Sequence, residues 1–390
     1  MSDAFLPFSK PTISEEAIAE VVDCLRSGWI TTGPKVEKLS GMFKDYLSAQ
    51  ETVLLASATA GMHLALLSLD LQPGDEIITA SMTFISTPNM IVQTGGTPVF
   101  VDIDSAGTLN MNIDDIEKAI TPKTRAIIPV HFAGLPVDLD RLYALAKKHN
   151  LRVIEDAAHA IGAEYKNKKI GSFGDTQIFS FHPNKNMTTG EGGCVTTSDS
   201  ELAARIRLLG FHGMDRVAWN RYGKTGKQDY EIVAPGFKYN MMDMQAAIGI
   251  HQLPQLDAFN QKRKALAHRY LEKLADWKQW HLPAAPNYDA LHVWHIFTPL
   301  LNIEEAGMNR ATFMEKMKAL NIGSGVHYKA AHLYPYYQEH YPVKSGQLPN
   351  TEYASERIIS LPLFPTMTFE DQDRVIDAMH TIFNSSTRNN

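Results

Sequence analysis

Between about Leu39 and Pro254 the chain repeats one pattern: a short apolar run, then a stretch with helical spacing. The apolar runs are Val53–Ser57, Glu76–Thr79, Thr97–Asp102, Arg125–His131, Arg152–Asp156, Thr176–Phe181 and Cys194–Ser198. Runs of this length suit single strands, and their alternation with helices predicts an α/β fold whose open, mostly parallel sheet is covered on both faces. The helical stretches fit that scheme. Ala60–Ser68 carries Met62, Leu64, Leu66 and Leu67, while Asp138–His149 follows a Pro-Val-Asp lead-in and carries Leu139, Leu142, Leu145 and Ala146. Past Pro254 the rhythm changes to a long charged helix over Asp257–Trp277, a strand-like Val293–Leu301, a helix near Arg310–Leu320 and another over Glu370–Phe383. The pattern divides the chain into a large domain over 1–254, N-terminal segment included, a smaller C-terminal α+β domain over 255–385 and a polar tail at 386–390.

Composition changes this picture only by exclusion. With 390 residues, 44% hydrophobic and 21% charged, the chain is ordinary globular material with enough length for two domains. A formal charge of -6 leaves no basic footprint for nucleic acid. The opening MSDAFLPFSKPTISEE lacks a basic stretch followed by an apolar one, and no run of eighteen apolar residues occurs. A soluble, cytoplasmic protein with no membrane partner is expected. The two cysteines, Cys24 and Cys194, have no paired spacing, so neither a disulfide framework nor a zinc knuckle is supported.

Ligands of open α/β sheets gather beyond the carboxyl ends of the strands, and several stretches put chemistry there. In Phe179–Gly193 (FSFHPNKNMTTGEGG) a strand opens into a tight loop, with Ser180 and His182 bracketing the strand end before Lys185. A lysine backed by apolar sequence loses the hydration of its ammonium and becomes a nucleophilic amine able to form a Schiff base. An exposed or phosphate-binding lysine fits the same loop. In VLLASATAGMHLALLSL a strand ends at Ser57 and a helix begins around Ala60, so Ser57, Thr59 and the free amides make either a phosphate cradle or an ordinary N-cap. In LRVIEDAAHA an apolar strand ends in Glu155 and Asp156, with His159 close behind. A carboxylate there needs a cation or donor, which a protonated heterocyclic nitrogen supplies. Asp156 and His159 could also share a metal, but no further His or Cys completes a ligand set and none is expected. Phe84, in TASMTFISTPN, is placed to stack on a flat ring or to join the core. Asn240, in APGFKYNMMDMQAAIG, stands just before a helix and suits an N-cap.

Together, EDAAHA, FSFH-x-x-KN-x-TTGEGG and KYN before a helix resemble the DegT/DnrJ/EryC/StrS sugar aminotransferases, fold-type-I pyridoxal-phosphate enzymes related to aspartate aminotransferase. The resemblance extends from SGWITTGP (Ser27–Pro34) to SLPLFPTMT (Ser360–Thr368). It implies a large domain with a mostly parallel seven-stranded sheet, a smaller α+β domain and a pyridoxal 5'-phosphate cofactor (PLP, or PMP when it carries the amine). It further implies that Lys185 joins the cofactor aldehyde as a Schiff base and that Asp156 pairs with the pyridinium nitrogen. Ala58, Thr59, Ala60 and Ser180 would bind the phosphate, Phe84 would stack on the ring and His159 would lie near the ring's 3-oxygen. Asn240 would reach the phosphate of a neighbouring subunit, which implies a homodimer with shared active sites. Trp29, Thr31, His131, His182, His327, Tyr328 and His332 fall in stretches that line the family's sugar pocket.

The implied reaction moves an amine from L-glutamate, released as 2-oxoglutarate, to a keto sugar, with Lys185 as the acid and base. Dehydratase relatives carry histidine in place of the lysine, and a non-catalytic cofactor-binding relative would have lost the lysine or the aspartate. This chain keeps both. SGWITTGPK, SATAGMH, EDAAHA, KYN and GVHYKAAH are similar to the branch that makes UDP-4-amino-4-deoxy-L-arabinose for lipopolysaccharide, which implies a UDP-linked 4-keto pentose as acceptor. Phe84, where that branch carries tryptophan, and the loop NKNMTTGEGG depart from it. The 8-keto octulosonate that yields 8-amino-3,8-dideoxy-manno-octulosonate (Kdo8N), and other keto sugars, are the alternatives.

Overall fold

The computed structural model describes residues 4–104, 107–214 and 230–386. Seven strands form its main sheet: β1 (Glu51–Leu55), β2 (Glu76–Ala80), β3 (Thr97–Val101), β4 (Thr124–Ile128), β5 (Arg152–Asp156), β6 (Thr176–Ser180) and β7 (Gly193–Thr197). Their order is β1-β7-β6-β5-β4-β2-β3. Every pairing is parallel except those of β7, which runs antiparallel to both β1 and β6. Parallel neighbours need a helical crossover, whereas antiparallel ones do not. The chain can therefore pass from β6 to β7 through a loop alone, residues 181–192, and that loop carries Lys185.

The helices of this unit are α1 (Glu15–Ser27), α2 (Pro34–Leu47), α3 (Ala58–Leu67), α4 (Ser86–Gln93), α5 (Ile113–Ala119), α6 (Leu139–His149), α7 (Ser200–Leu209) and α8 (Asp243–Gln252). Successive side chains of a strand point to opposite faces, and the core divides accordingly. Ile78, Ile127, Val153 and Phe179 pack with Leu39 and Phe43 of α2 on one face. Ile77, Ile128, Ile154 and Ile178 pack with Leu64 of α3 and Ile206 of α7 on the other. Both faces are buried, which is why the strands read as apolar runs rather than alternating ones.

The smaller unit is built on α9 (Leu256–Lys273), α10 (Arg310–Ala319) and α11 (Phe369–Ser386) around Tyr270, Trp280, Phe297, Phe313 and Phe383. Leu6, expected in the large domain, belongs to this core: its amide donates to Asn321 O at 2.9 Å and its carbonyl accepts from Gly323 N at 2.7 Å. This pairing satisfies the backbone groups of Leu6 and of the turn at 321–323.

Several boundaries move. The helix expected to begin about Ala60 begins at Ala58, because Ser57 leaves the strand and caps it, Oγ accepting from Ala60 N at 3.1 Å. The regular strand β4 ends at Ile128, where Pro129 has no N–H to offer, though Pro129 O still accepts from Asp156 N and Val130 bridges Asp156. The helix expected to reach Trp277 ends at Lys273. Val293–Leu301 is a strand only at Leu300–Leu301, because the amides of Val293 and His295 donate to Gly134 O and Ala133 O of the large unit instead of to a neighbouring strand. Ser386, expected in the tail, ends α11, and 387–390 lie outside the described residues. No helix among the described residues is long and apolar enough to cross a membrane.

Phe297 is fully buried and its ring stacks on Tyr270 at 4.9 Å. Phe297→Ala should therefore destabilise the smaller unit by about 3–5 kcal/mol. The midpoint of chemical denaturation followed by circular dichroism checks this; a midpoint within error of the wild type would contradict the packing described.

Candidate active site

Where β1, β2, β5 and β6 end, their following residues enclose a cavity of about 350 Å³, and His327 and Tyr328 of the smaller unit close one side. One wall is the start of α3. Ala58 and Thr59 line it, and Thr59 Oγ1 lies 2.8 Å from Ser86 Oγ. Free amides and the positive end of the helix dipole favour an anion there, with the Thr59, Ser86 and Ser180 hydroxyls available as further donors. β7 can lie against this turn only because residue 193 is glycine: a Cβ there would sit 2.4 Å from the Ser57 carbonyl carbon.

The second wall is Asp156. Thr87 Oγ1 donates to its Oδ2 at 2.6 Å and the Ala158 amide to its Oδ1 at 3.2 Å, which fixes the carboxylate while it still faces the cavity. Lys185 forms the third. Its position in the loop is set by its own amide, which donates to His182 O at 2.9 Å, and by neighbours held in place. Thr188 Oγ1 donates to Phe181 O at 2.9 Å, and Asn186 Nδ2 donates to Asn260 Oδ1 and Val293 O. Burial lowers the Lys185 ammonium to about 8, against the weaker opposing pull of the Asp156 carboxylate. Near neutral pH an appreciable share of this amine is thus unprotonated and nucleophilic.

Two neutral imidazoles back the cavity. His159 accepts from the Ala133 amide at Nδ1 (3.3 Å), and its Nε2 lies 2.9 Å from Tyr328 Oη. Behind it, 4.4 Å away between ring centroids, His295 donates from Nδ1 to Asn186 Oδ1 at 3.1 Å. Burial, with the charges of Lys185 and His327, holds His159 well below the usual imidazole range, and burial first, then His159 and Lys185, does the same to His295. His327 is pushed down to about 4 by burial and by Lys185, while its Nδ1 pairs with Ser360 Oγ at 2.7 Å.

Of the residues expected at the site, Ala58, Thr59, Phe84, Asp156, His159, Ser180, His182, Lys185, His327 and Tyr328 all line this one cavity. Others do not reach it. Ala60 spends its amide on the Ser57 cap. His131 is fully buried, with Nε2 2.7 Å from Glu155 Oε2 and Nδ1 accepting from Val137 N, so it braces the sheet. His332 is fully buried too, between Ser81 Oγ at 2.6 Å and Glu352 Oε1 at 3.3 Å, and joins the two units rather than facing a ligand. Trp29, Thr31 and Asn240 lie together elsewhere: Asn240 Nδ2 donates to Thr32 Oγ1, Trp29 Nε1 donates to Thr32 O, and Thr31 O accepts from Asp243 N. Thr83, Ser86, Thr87, Asn186 and His295 were not anticipated. No spacing rule announces Thr87, whose bond to Asp156 spans 69 residues.

An amine of lowered pKa, a fixed carboxylate and a hydroxyl-rich helix start on three walls of one cavity match an aldehyde, a ring cation and a phosphate carried by one molecule. The buried Thr83 hydroxyl, which has no partner among the described residues, lines the same space. PLP fits this donor set.

Comparison with known proteins agrees. Spr1654 of Streptococcus pneumoniae, solved in PMP and PLP forms, superimposes with a TM-score of 0.89 in each; the PMP form is 34% identical over 98% of this chain and 100% of its own. DesV of S. venezuelae, in complex with a ketimine intermediate, gives 0.87 at 34% identity over 97% and 99% of the two chains. PseC of Helicobacter pylori, an aminotransferase of pseudoaminic acid biosynthesis, gives 0.89 at 28% identity over 98% and 100%. In sequence, the uncharacterized protein MJ1066 of Methanocaldococcus jannaschii is 46% identical over 97% of this chain and 98% of its own. The fold is that of a fold-type-I PLP-dependent aminotransferase, with PLP and PMP as the cofactor forms. Residues 11–380 match the model of the DegT/DnrJ/EryC1/StrS aminotransferase family, so the chain belongs to that family and is a sugar aminotransferase.

A lysine with a folded pKa near 8 and an unfolded pKa of about 10.4 holds fewer protons folded than unfolded between those values. Its burial is a full penalty below pH 8 and is relieved as pH rises toward 10.4. Cofactor-free Lys185→Met should accordingly unfold at higher denaturant than the wild type at pH 7, with the gap closing across that window. A gap that widened with pH would reverse the sign of the argument.

Proposed function

We propose that this chain moves an amino group from L-glutamate to a nucleotide-linked 4-keto sugar, a UDP-4-keto pentose or close analogue, and does so as a homodimer with shared active sites. The observation that carries the reading is the Lys185 amine, lowered to about 8, in one cavity with the fixed Asp156 carboxylate. When bound, PLP supplies an electron-withdrawing pyridinium aldehyde that carries the amine between donor and acceptor.

Residue by residue, Asp156 provides the negative charge that keeps a ring nitrogen protonated, and Thr87 and the Ala158 amide prevent it from turning away. Lys185 would anchor the cofactor and then, as a free amine, move a proton between the substrate carbon and the cofactor carbon in each half-reaction. The start of α3 and the hydroxyls of Thr59, Ser86 and Ser180 hold the phosphate. Phe84 and Tyr328, with ring centroids 5.8 Å apart, flank the space above. Among the described residues, the only lysine or arginine on the cavity wall is Lys185. The other polar groups include His182, His327 and Tyr328, imidazoles and a phenol that exchange hydrogen bonds with hydroxyls, as a sugar requires. The cluster of Trp29, Thr31 and Asn240 supports the dimer: these family-matched site residues lie together but away from this chain's cavity, an arrangement that suits service to a second copy's.

Purified holoenzyme mixed with glutamate should lose its visible absorption band and release 2-oxoglutarate, whereas Lys185→Ala should do neither. A protein that never colours with PLP would sink the assignment. Screening acceptors against the aminated enzyme then separates the nucleotide-linked sugars from the free 8-keto octulosonate.

Sharing of sites has its own test. Asn240→Ala and Lys185→Ala homodimers should each be impaired, and denaturing then refolding them together should restore a fraction of activity, because one site of each mixed dimer is then intact. Mixtures no more active than the sum of their parents would place Asn240 outside the neighbour's site.

A further inference from the structure

His159 and Tyr328 come from different units of the chain and meet at one hydrogen bond, whose polarity follows from counting protons. The Ala133 amide donates to His159 Nδ1. An amide N–H only donates, so Nδ1 bears a lone pair and the single hydrogen of the neutral ring sits on Nε2. A protonated ring would turn Nδ1 into a second donor facing the first. The ring is 6% exposed, and the packing of His295 at 4.4 Å and Phe132 at 6.2 Å leaves it no room to flip freely.

The Nε2 hydrogen faces Tyr328 Oη at 2.9 Å, so the tyrosine oxygen accepts. Its own hydrogen must then point away from the histidine. Among the described residues Tyr328 Oη has no other hydrogen-bond partner, and the tyrosine lines the cavity. Because His159 spends its only ring hydrogen on Tyr328, it has none left for a ligand oxygen. The expectation that His159 itself serves the ring's 3-oxygen passes to its neighbour.

We propose that Tyr328 is the hydrogen-bond donor that meets an electron-rich oxygen of the bound ligand, on the cofactor ring or on the sugar, and that His159 is the positioning residue that aims it. The proposal rests on the aminotransferase reading of the same cavity. It explains why a neutral histidine is built in beside Lys185: a cationic one would repel the ammonium and lose the Ala133 contact together.

Tyr328→Phe keeps the ring and removes the O–H. If the oxygen is the cofactor's, the visible band of the holoenzyme should shift and PLP affinity fall roughly 10- to 100-fold. If it is the sugar's, the band and the glutamate half-reaction should stay, and the half-reaction with the keto sugar should slow by a similar factor. His159→Gln should move the same readout in the same direction, since the tyrosine is then no longer aimed. Nitrogen-15 NMR of the cofactor-free wild type, with His159 assigned by its loss in His159→Gln, should show the Nε2–H tautomer near neutral pH. An Nδ1–H tautomer, or a Tyr328→Phe enzyme that keeps both the spectrum and the two half-reactions, would overturn the proposal. Wild-type holoenzyme that fails to convert glutamate would instead count against the aminotransferase reading, and the NMR arm would still decide whether the tyrosine is aimed.

Discussion

Desolvation of one ammonium organises this molecule. Lys185 sits where the sheet's one antiparallel strand allows a loop in place of a helical crossover, and the walls that bury it also supply what it needs. Water removed from the amine lowers its proton affinity; the Asp156 carboxylate across the cavity raises it again, though by less. The balance leaves an amine that is nucleophilic near neutral pH yet still able to carry a proton. Neutral imidazoles on the remaining side follow from the same cause, because additional positive charge in a space that already disfavours it would be unpaired.

Two adjacent carboxylates show how strand geometry sorts roles. Glu155 is 1% exposed and meets His131, Tyr143 and Gln177, each within 2.7 Å. Asp156, the next residue, ends β5 on the other side and meets Thr87 and Ala158 while facing the cavity. Alternation along the strand gives one acid to the sheet's interior and the other to chemistry. Glu155 is a structural brace, buried among His131, Tyr143 and Gln177 and away from the cavity.

The cavity is completed only by joining the two units. The segment at 292–299 leaves its expected strand to bond the loop at 133–134, which sets His295 behind His159. Ser81 takes a backbone bond from Ala331 and pairs with His332, which ties the loop bearing Phe84 to the loop bearing His327 and Tyr328. The loop carrying Phe84 and the loop carrying His327 and Tyr328 are thereby tied together, and His332 braces the cavity without lining it.

Local sequence determined the strand runs, the turn after β1, the loop around Lys185 and the strand-end carboxylate, because each depends on burial periodicity or on residues a few positions apart. The match of EDAAHA and the lysine loop to one family then named the chemistry. Tertiary structure alone decided which of the marked residues share a cavity. His131 and His332 look no different from His159 and His327 along the chain, yet the first two are buried away from the cavity against Glu155, Ser81 and Glu352, and the latter two line it. It also decided the direction of the proton between His159 and Tyr328, since that turns on an amide 26 residues away from the histidine. A side chain's type is a property of sequence; whether its donors and acceptors are free is settled by what the fold brings against them.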